Sequence, residues 1–212
     1  NSQGVEGCYR FLKRVWRIFN EFLDDIKLAD SIPENFEIKS KELRELRRVT
    51  HVTIGRVTDD IQIRIQFNTA ISAVMEFVNH LYAFRDYWVL VKENNDEARS
   101  LVRQSFDTLI LLLSPFAPHI SEEMWSLLGH KKSIVQAEWP VFNKDFTKTE
   151  ELLIVIQLNG KVRQRILVSS SASQEDIKRL ALNDSKIKEQ VKSQEIKKII
   201  VVPGKLVNIV ME

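Results

Sequence analysis

Residues 113–125 have the sequence LSPFAPHISEEMW, and this stretch decides the architecture of the longer, N-terminal part of the chain. Pro115 and Pro118 lie three residues apart, and neither fits a helix interior, because proline lacks a backbone N–H and its ring clashes with the preceding turn. Pro118 does fit the first turn of a helix, where that N–H has no partner in any case. The stretch therefore predicts that one helix ends near Ser114 and that another begins at Pro118.

Apolar side chains recur at spacings of three and four on both sides of this stretch, as they do on helices that bury one face. We predict five amphipathic helices, with a polar loop over residues 24–38 between the first two. The connections between most of them are short, which predicts an antiparallel helical bundle, with residues 134–140 as an extended tail on its outside. The predicted helices cover about residues 5–23, 39–66, 68–87, 95–113 and 118–128.

The apolar stripes also predict which side chains lie in the core of the bundle. The stripe of the first helix includes Tyr9 and Trp16, and that of the second helix extends to Ile65. Cys8 lies near the start of the first helix, where a buried or half-buried structural thiol is more common than a nucleophile.

The periodicity changes after residue 151. Residues 152–158 and 161–168 are rich in strand-forming residues, and Asn159-Gly160 between them is the strongest short hairpin signal, because both central residues of the turn need a positive φ. Residues 174–192 are helical in composition with a break near Asn183, and residues 196–202 and 206–211 form two more strands. The order predicts a small α+β domain, β-β-α-α-β-β.

The expected fold class is therefore mostly α, with a helical bundle followed by a small α+β domain. We place the bundle and its extended tail at residues 1–141, a linker at 142–151 and the small domain at 152–212. At about 61 residues, the small domain buries only a modest core.

The composition is that of an ordinary folded protein, with 44% hydrophobic and 28% charged residues among 212. A single cysteine excludes an internal disulfide and a cysteine zinc site, and it favours a reducing compartment such as the cytoplasm. No apolar run is long enough to span a bilayer and no secretory signal is predicted, so we expect no membrane partner. The chain begins without Met and within a helical pattern, from which we expect a longer parent protein.

Positive charge is concentrated in the second part of the chain. Residues 1–151 carry 20 Lys and Arg against 23 Asp and Glu, a net charge of −3, whereas residues 152–212 carry 11 against 6, a net charge of +5. This distribution favours a polyanion contact in the second part. The alternative is a solvated surface, since a charge of +5 is also common in domains that bind nothing acidic.

Two groups of cations are candidates for that contact. Lys161, Arg163 and Arg165 alternate along a predicted strand and are therefore expected to share one face. Three cations on one face of a sheet are costly unless the face is wet or meets an anion. Lys197 and Lys205, from the other predicted hairpin, would extend a surface that contacts phosphates without distinguishing bases.

The second group, Arg44, Arg47 and Arg48, lies on one face of the second helix. Glu42 and Glu45 alternate with these arginines, so an ordinary solvated helix surface is an equally good interpretation.

No catalytic or metal site is predicted. The four histidines lack the spacing of metal ligands. Asp59-Asp60 and Glu122-Glu123 are adjacent pairs, and neighbours on a helix point about 100° apart, so neither forms an acid–base pair. Asn159-Gly160-Lys161 lacks the glycine spacing and the strand–loop–helix setting of a phosphate loop.

Several stretches resemble class Ia aminoacyl-tRNA synthetases. Residues 67–76 (FNTAISAVME) and 113–125 resemble the helical anticodon-binding domain of the leucine, isoleucine, valine and methionine branch. Residues 155–163 (VIQLNGKVR) and 202–210 (VPGKLVNIV) resemble the C-terminal domain of the bacterial-type leucyl-tRNA synthetase family. The resemblance covers essentially the whole chain.

The resemblance implies that the intact enzyme activates leucine with ATP and Mg²⁺ and esterifies it to tRNA(Leu). The family's His-x-Gly-His-like motif and its Lys-Met-Ser-Lys-Ser loop do not occur here. We therefore expect a C-terminal fragment that holds no cofactor and is inactive alone. Its expected partners are tRNA(Leu) and the catalytic and editing domains of the synthetase.

The resemblance also implies where tRNA binds, since in this family the bundle supports the tRNA body and the C-terminal domain reaches its outer corner. We expect the corner to contact Lys161, Arg163 and Arg165, with support from Lys197 and Lys205. We expect the body to contact Arg44, Arg47 and Arg48, and also Arg10 and Arg14.

Two alternatives remain open. One is the equivalent part of another class Ia synthetase, although the isoleucine enzyme usually adds a cysteine zinc site and the valine enzyme a coiled coil, and neither pattern occurs here. The other is a freestanding helical scaffold or protein-interaction module, which would bind no tRNA and would pair its basic strand with an acidic protein.

Overall fold

The computed structural model describes residues 2–29, 36, 38–93, 95–149, 151–191 and 195–211. The chain divides into two compact units, Asn1–Thr147 and Lys148–Glu212. The helices are α1 Ser2–Ile26, α2 Lys41–Gln62, α3 Phe67–Val91, α4 Asp96–Leu113, α5 Pro118–Leu127, α6 Gln174–Asn183 and α7 Ser185–Val191. The strands are β1 Glu151–Leu158, β2 Lys161–Ser169, β3 Ile196–Val202 and β4 Leu206–Met211. This element order confirms the predicted fold class.

Local hydrogen bonds explain where the helices of the first unit begin. Ser40 Oγ accepts from the backbone N–H of Leu43 at the start of α2 (3.3 Å), and Asn95 Oδ1 accepts from that of Ala98 at the start of α4 (2.9 Å). Such caps satisfy N–H groups that have no partner within the helix. Helix α5 begins at Pro118, as predicted. Helix α1 continues to Ile26, so the predicted loop over residues 24–38 starts too early, and residues 30–35 and 37 of that loop lie outside the described residues.

The five helices of the first unit enclose one apolar core with an aromatic centre. Phe22 stacks on Trp88 with ring centroids 5.4 Å apart and also contacts Phe106 at 5.2 Å. All three side chains are buried. Aromatic side chains bury a large apolar area each, so this centre fixes α1, α3 and α4 relative to one another.

Four residues predicted to be buried are exposed instead. Tyr9 is 56% and Trp16 is 37% exposed, because the buried face of α1 is narrower than the predicted stripe. Ile65 is 69% exposed, since α2 ends at Gln62 and Ile65 lies in the following turn with a φ of 53°. Cys8 is also exposed. The buried positions of α1 are Phe11, Val15, Ile18, Phe19, Phe22 and Ile26.

The segment that follows α5 packs along α2. Trp139 donates its indole N–H to Thr58 Oγ1 (2.9 Å), and the ring of Phe142 lies over Gly55 of α2. A Cβ at Gly55 would be 2.9 Å from that ring, so a larger residue there would displace the Phe142 side chain. The first unit thus includes residues 142–147 of the segment predicted as a linker, and they end in a 3₁₀ turn over Lys144–Thr147.

The second unit is a four-stranded sheet with two short helices. The strand order is β2-β1-β4-β3, with β1 parallel to β4 and the two hairpins antiparallel. The helices cover one face, where Ile177 and Ile187 pack with Ile154, Ile156 and Val207. All predicted elements of this unit are present, in the predicted order.

Candidate nucleic-acid interface

The β1–β2 hairpin presents Lys161, Arg163 and Arg165 to solvent. Asn159 (φ 48°) and Gly160 (φ 79°) both have the positive φ that a two-residue hairpin turn needs, as predicted. The Asn159 side chain accepts from the N–H of Met211 (2.8 Å) and so fixes the turn to β4. The turn of the hairpin that carries these cations is therefore anchored to the neighbouring strand β4.

The prediction that these three cations share one face is wrong. Lys161 lies opposite Leu158, which is buried on the face that the helices cover, whereas Arg165 lies opposite Val155 on the other face. The pairing shifts between Ile156 and Gln157, so that Arg163 is an extra residue on β2. Such a bulge reverses the alternation of side chains beyond it, which no residue count along the sequence reveals.

The face of the sheet opposite the helices is largely apolar and open. Five apolar side chains on this face are exposed, and their exposed fractions range from 37% at Val202 to 63% at Leu167. The cross-strand partners place Arg165 and Lys198 on the same face. The exposed apolar residues of this open face are Leu153, Val162, Leu167, Ile200 and Val202. This surface was not predicted from the sequence. A signal for it was present, because apolar residues at 153, 155 and 167 alternate with buried residues and so make both faces of the sheet apolar.

The strand register distributes the remaining cations over both ends of the sheet. Lys161 and Lys197 lie at the end with the Asn159-Gly160 turn, on the two edge strands, roughly 14 Å apart by strand spacing. Lys205 lies in the turn before β4, directly before Leu206. Leu206 pairs with Val155, which also pairs with Arg165 on its other side. The sheet therefore carries cations around its rim.

The arginines of α2 contact their own chain instead. Arg44 Nη1 donates to the carbonyl oxygens of Ile38 (3.0 Å) and Lys39, and Arg47 Nη1 donates to that of Phe36 (2.9 Å). These carbonyls belong to the segment that leads into α2. Both guanidinium groups therefore hold the entry to the helix, a role that the sequence pattern did not indicate.

Arg47 also binds the segment that follows α5. Its guanidinium carbon lies 4.2 Å from the centroid of the Phe146 ring, a cation–π contact. Phe146 also contacts the ring of His51 (centroids 4.9 Å apart), and His51 Nδ1 accepts from the N–H of Asn143 (3.3 Å). Burial, together with the nearby charge of Arg44, lowers the pKa of Arg47.

Arg48 forms an ion pair within the helix. Its Nε and Nη2 each donate to one carboxylate oxygen of Glu45 at 2.7 Å. These hydrogen bonds lower the pKa of Glu45 and raise the pKa of Arg48, against the opposing effect of partial burial. The pair supports the interpretation of this face as helix surface, and contact of the face with tRNA stays a prediction.

Arg10 and Arg14 are exposed on α1 but also have partners. Arg10 pairs with Glu6 one turn earlier (3.3 Å), a contact between two well-exposed side chains. Arg14 donates to Asn79 Oδ1 (2.8 Å) and lies over the ring of Tyr82 (5.0 Å), so α3 holds it.

Histidines and acidic residues elsewhere in the described part of the chain have structural roles. Its His, Cys, Asp and Glu side chains form no group of three that could hold a metal ion. His130 Nε2 donates to Asp107 Oδ1 (2.7 Å) and its ring stacks on Trp125, which is a structural contact between α4 and the turn after α5. Among the helices that the structure describes, none is long and apolar enough to cross a membrane.

Known proteins resemble this chain over its whole length. The leucine–tRNA ligase of Geotalea daltonii is 43% identical over 211 residues, and that of Geotalea uraniireducens is 41% identical over 212. The chain spans about a quarter of the length of these relatives, 25% in each case. A LeuRS of Agrobacterium radiobacter K84, solved as a ternary complex with tRNA and LeuAMS, matches all of this chain with 26% of its own, at 29% identity and a TM-score of 0.77.

The family match covers both units. The description "Anticodon-binding domain of tRNA ligase" matches residues 44–179, from α2 to α6. It therefore includes the α2 arginines and the cations of β2. The chain belongs to the anticodon-binding domain family of tRNA ligases.

Proposed function

We propose that this chain is the tRNA-binding C-terminal part of a leucine–tRNA ligase, and that it positions tRNA(Leu) for leucylation by a catalytic domain outside the chain. The observation that carries the proposal is the similarity of both units to leucine–tRNA ligases over the full 212 residues. The structural likeness to a LeuRS crystallised with tRNA supports the same partner.

The second unit is the stronger candidate for direct RNA contact. Lys161, Arg163 and Arg165 are exposed, and no hydrogen bond or ion pair of the described residues occupies their charged groups. Charges at the rim of a sheet attract phosphates. Lys197 and Lys205 extend the charged rim. We assign the outer corner of tRNA(Leu) to this unit.

The first unit supports the body of the tRNA in this proposal. Arg10 and Arg14 offer charge on α1, whereas Arg44, Arg47 and Arg48 retain charge while bound to their own chain. A guanidinium has five N–H donors, so an arginine that already holds one carbonyl still has donors for a phosphate. The remainder of the synthetase chain, with its catalytic and editing domains, is the other proposed partner.

ATP and Mg²⁺ belong to the intact enzyme in this proposal. The described residues of this chain form no cluster that fits a metal ion. Alone, the 212-residue chain is expected to show no leucine-dependent exchange of pyrophosphate into ATP. Exchange that copurifies with this chain, in a preparation free of host synthetase, would overturn that part of the proposal. A cytoplasmic location follows from the same function.

A salt-titrated binding assay tests the proposal. The probes are a leucine tRNA transcript, a non-leucine tRNA transcript and an RNA hairpin of similar charge. We expect preference for the leucine tRNA that persists near physiological salt. Equal and steeply salt-dependent binding of all three, with Kd on the order of 10⁻⁴–10⁻⁶ M, would show that the chain supplies positioning charge only. No binding would contradict the proposal.

The open apolar face of the sheet supports one alternative function. A protein-interaction module would use that face, with Arg165 and Lys198 pairing to an acidic partner. A pull-down with and without RNase separates the two functions. Partners that depend on RNA support the tRNA ligase fragment, and an RNase-resistant acidic partner supports the module.

A further inference from the structure

Helix α1 has an exposed face that combines aromatic rings with positive charge. From Gly7 to Asn20 the helix carries four cations and no carboxylate. Helical spacing puts Tyr9, Trp16 and Asn20 in one row, with Lys13 and Arg17 beside it. The five side chains are exposed and define what we call the α1 aromatic–basic face.

Trp16 differs from the other tryptophans of the chain. The indole N–H groups of Trp88, Trp125 and Trp139 donate to Asp25, to the carbonyl of Lys132 and to Thr58. Within the described residues, the indole N–H of Trp16 donates to nothing. Its ring centroid lies 6.1 Å from that of Phe19, so the core supports one side of an indole that is 37% exposed. A supported ring with an open donor is suited to a polar, flat ligand.

The cations of this face are placed to meet anions. Lys13 Nζ lies 4.7 Å from the centroid of the Tyr9 ring, which holds the ammonium group over the aromatic row. Arg17 makes no hydrogen bond or ion pair within the part of the chain that the structure describes. Lys13, Trp16, Arg17, Asn20 and Glu21 line a shallow groove of about 510 Å³.

These features favour RNA over a polypeptide as the occupant. Val5 (71% exposed), Tyr9 and Trp16 form an apolar row at helical spacing, with the half-buried Leu12 between them. An apolar protein helix docked on that row would leave Lys13 and Arg17 beside it without anionic partners. Single-stranded nucleic acid binds where cations follow the backbone and aromatic rings stack on bases. Residues 7–20 carry four cations and no carboxylate, and Glu21, which also lines the groove, pairs with Arg85 (3.8 Å). The charge of this face is therefore complementary to phosphate.

We infer that the α1 aromatic–basic face binds an unpaired segment of the RNA, with a base stacked on Trp16 and flanking phosphates on Lys13 and Arg17. The inference rests on the proposed function, since it names a further contact of the same RNA partner. It adds Tyr9, Lys13, Trp16 and Arg17 to the residues that touch RNA.

The first test compares two charge-matched double variants of the 212-residue chain against the leucine tRNA transcript. Lys13→Ala with Arg17→Ala removes two cations from the proposed face. Lys131→Ala with Lys132→Ala removes two exposed cations after α5. We expect the slope of log K against log salt to shrink by about 1.5 for the first variant and to stay unchanged for the second. Equal thermal melting of both variants shows that folding is intact.

The second test addresses stacking. Trp16→Ala is expected to weaken binding on the order of tenfold, whereas Trp16→Phe, which keeps an aromatic ring, retains most of the affinity. Bound tRNA should also protect tryptophan emission from iodide in the unchanged chain and not in Trp16→Phe, because the remaining tryptophans have buried or bonded indoles.

The outcomes separate this inference from the proposed function. If the unchanged chain binds tRNA while the Lys13/Arg17 variant keeps its salt slope and Trp16→Ala keeps its affinity, the inference is overturned and the proposed function stands. That result would leave the α1 face to solvent or to another polypeptide. If the unchanged chain binds no RNA, both the inference and the proposed function are contradicted.

Discussion

The arginines of α2 and the cations of β2 have similar patterns in the sequence and opposite situations in the structure. Arg44 and Arg47 donate to backbone carbonyls of their own unit, and Arg48 holds Glu45. Lys161 and Arg165 extend from an anchored hairpin into solvent. The comparison teaches that the type and spacing of cations in a sequence do not tell which of them already have partners within the fold and which are free to meet a ligand.

The largest expected effect is on the salt dependence of RNA binding, when the free cations of β2 are removed. The triple variant Lys161→Ala, Arg163→Ala and Arg165→Ala should reduce the salt slope for leucine tRNA by roughly 2 to 3, because about 0.7–0.9 counterions are released per phosphate contact. A variant with Lys178, Lys186 and Lys188 changed to alanine removes the same charge from α6 and α7 and serves as the control. Salt-titrated fluorescence anisotropy measures both.

The same titration also resolves the two faces of the hairpin. Since the bulge at Arg163 puts Lys161 and Arg165 on opposite faces, one flat RNA surface cannot lie against both faces equally. We expect the two single variants to differ in their loss of slope. Equal losses of slope from the two single variants would show that the RNA wraps the edge of β2. No loss of slope from the triple variant would contradict the distinction between the α2 arginines and the β2 cations.

A smaller effect is expected from the bound arginines, and it concerns stability. Arg47→Ala removes a charge-assisted hydrogen bond to Phe36 and a cation–π contact with Phe146. The free energy of unfolding of the first unit should fall by about 2 kcal/mol. Arg165→Ala should change stability by less than about 0.5 kcal/mol, as exposed substitutions usually do. All four tryptophans lie in the first unit, so urea unfolding is monitored by far-UV circular dichroism, which also reports on the second unit that contains Arg165.

Arg47→Lys separates the role of geometry from that of charge. Lysine keeps the charge but lacks the planar group that reaches a carbonyl and a ring together. We therefore expect Arg47→Lys to lose most of the stability that Arg47→Ala loses, with little change in the salt slope for RNA. Full stability in Arg47→Lys would mean that the charge alone matters, and Arg47 would then belong with the free cations.

The sequence was sufficient for most of the fold, for reasons visible in single residues. Pro118, Asn159 and Gly160 each restrict the backbone locally, and the structure has a helix start and a hairpin turn at those positions. Ile65 was placed wrongly because periodicity continues past Gln62 while the helix does not. Trp16 was assigned to the core because spacing alone does not tell how wide the buried face of a helix is.

The candidate site was less accessible to sequence reasoning. The charges of Lys161, Arg163 and Arg165 are evident from residue type, but the bulge that separates their faces depends on cross-strand register. The partners of Arg47 come from residues 36 and 146, far from it along the chain. A long-range contact of this kind leaves no local pattern, so the use of a cation has to be found in the fold.

The smallest expected effect is the pH dependence of the Glu45–Arg48 pair. The hydrogen bonds from Arg48 lower the pKa of Glu45 in the folded state, so the pair stabilises the helix above the usual carboxyl range near 4.5 and loses that contribution as the pH falls through the lowered pKa. Both side chains are partly exposed, and solvent screening limits the contribution to about 0.5 kcal/mol. Urea unfolding of the unchanged chain and of Glu45→Gln should therefore differ at pH 7 and converge near pH 3. Arg165→Gln, which has no ion pair to lose among the described residues, should show the same small difference from the unchanged chain at both pH values. If Glu45→Gln showed the same offset at pH 7 and pH 3, its effect would come from packing and not from the charge of the ion pair.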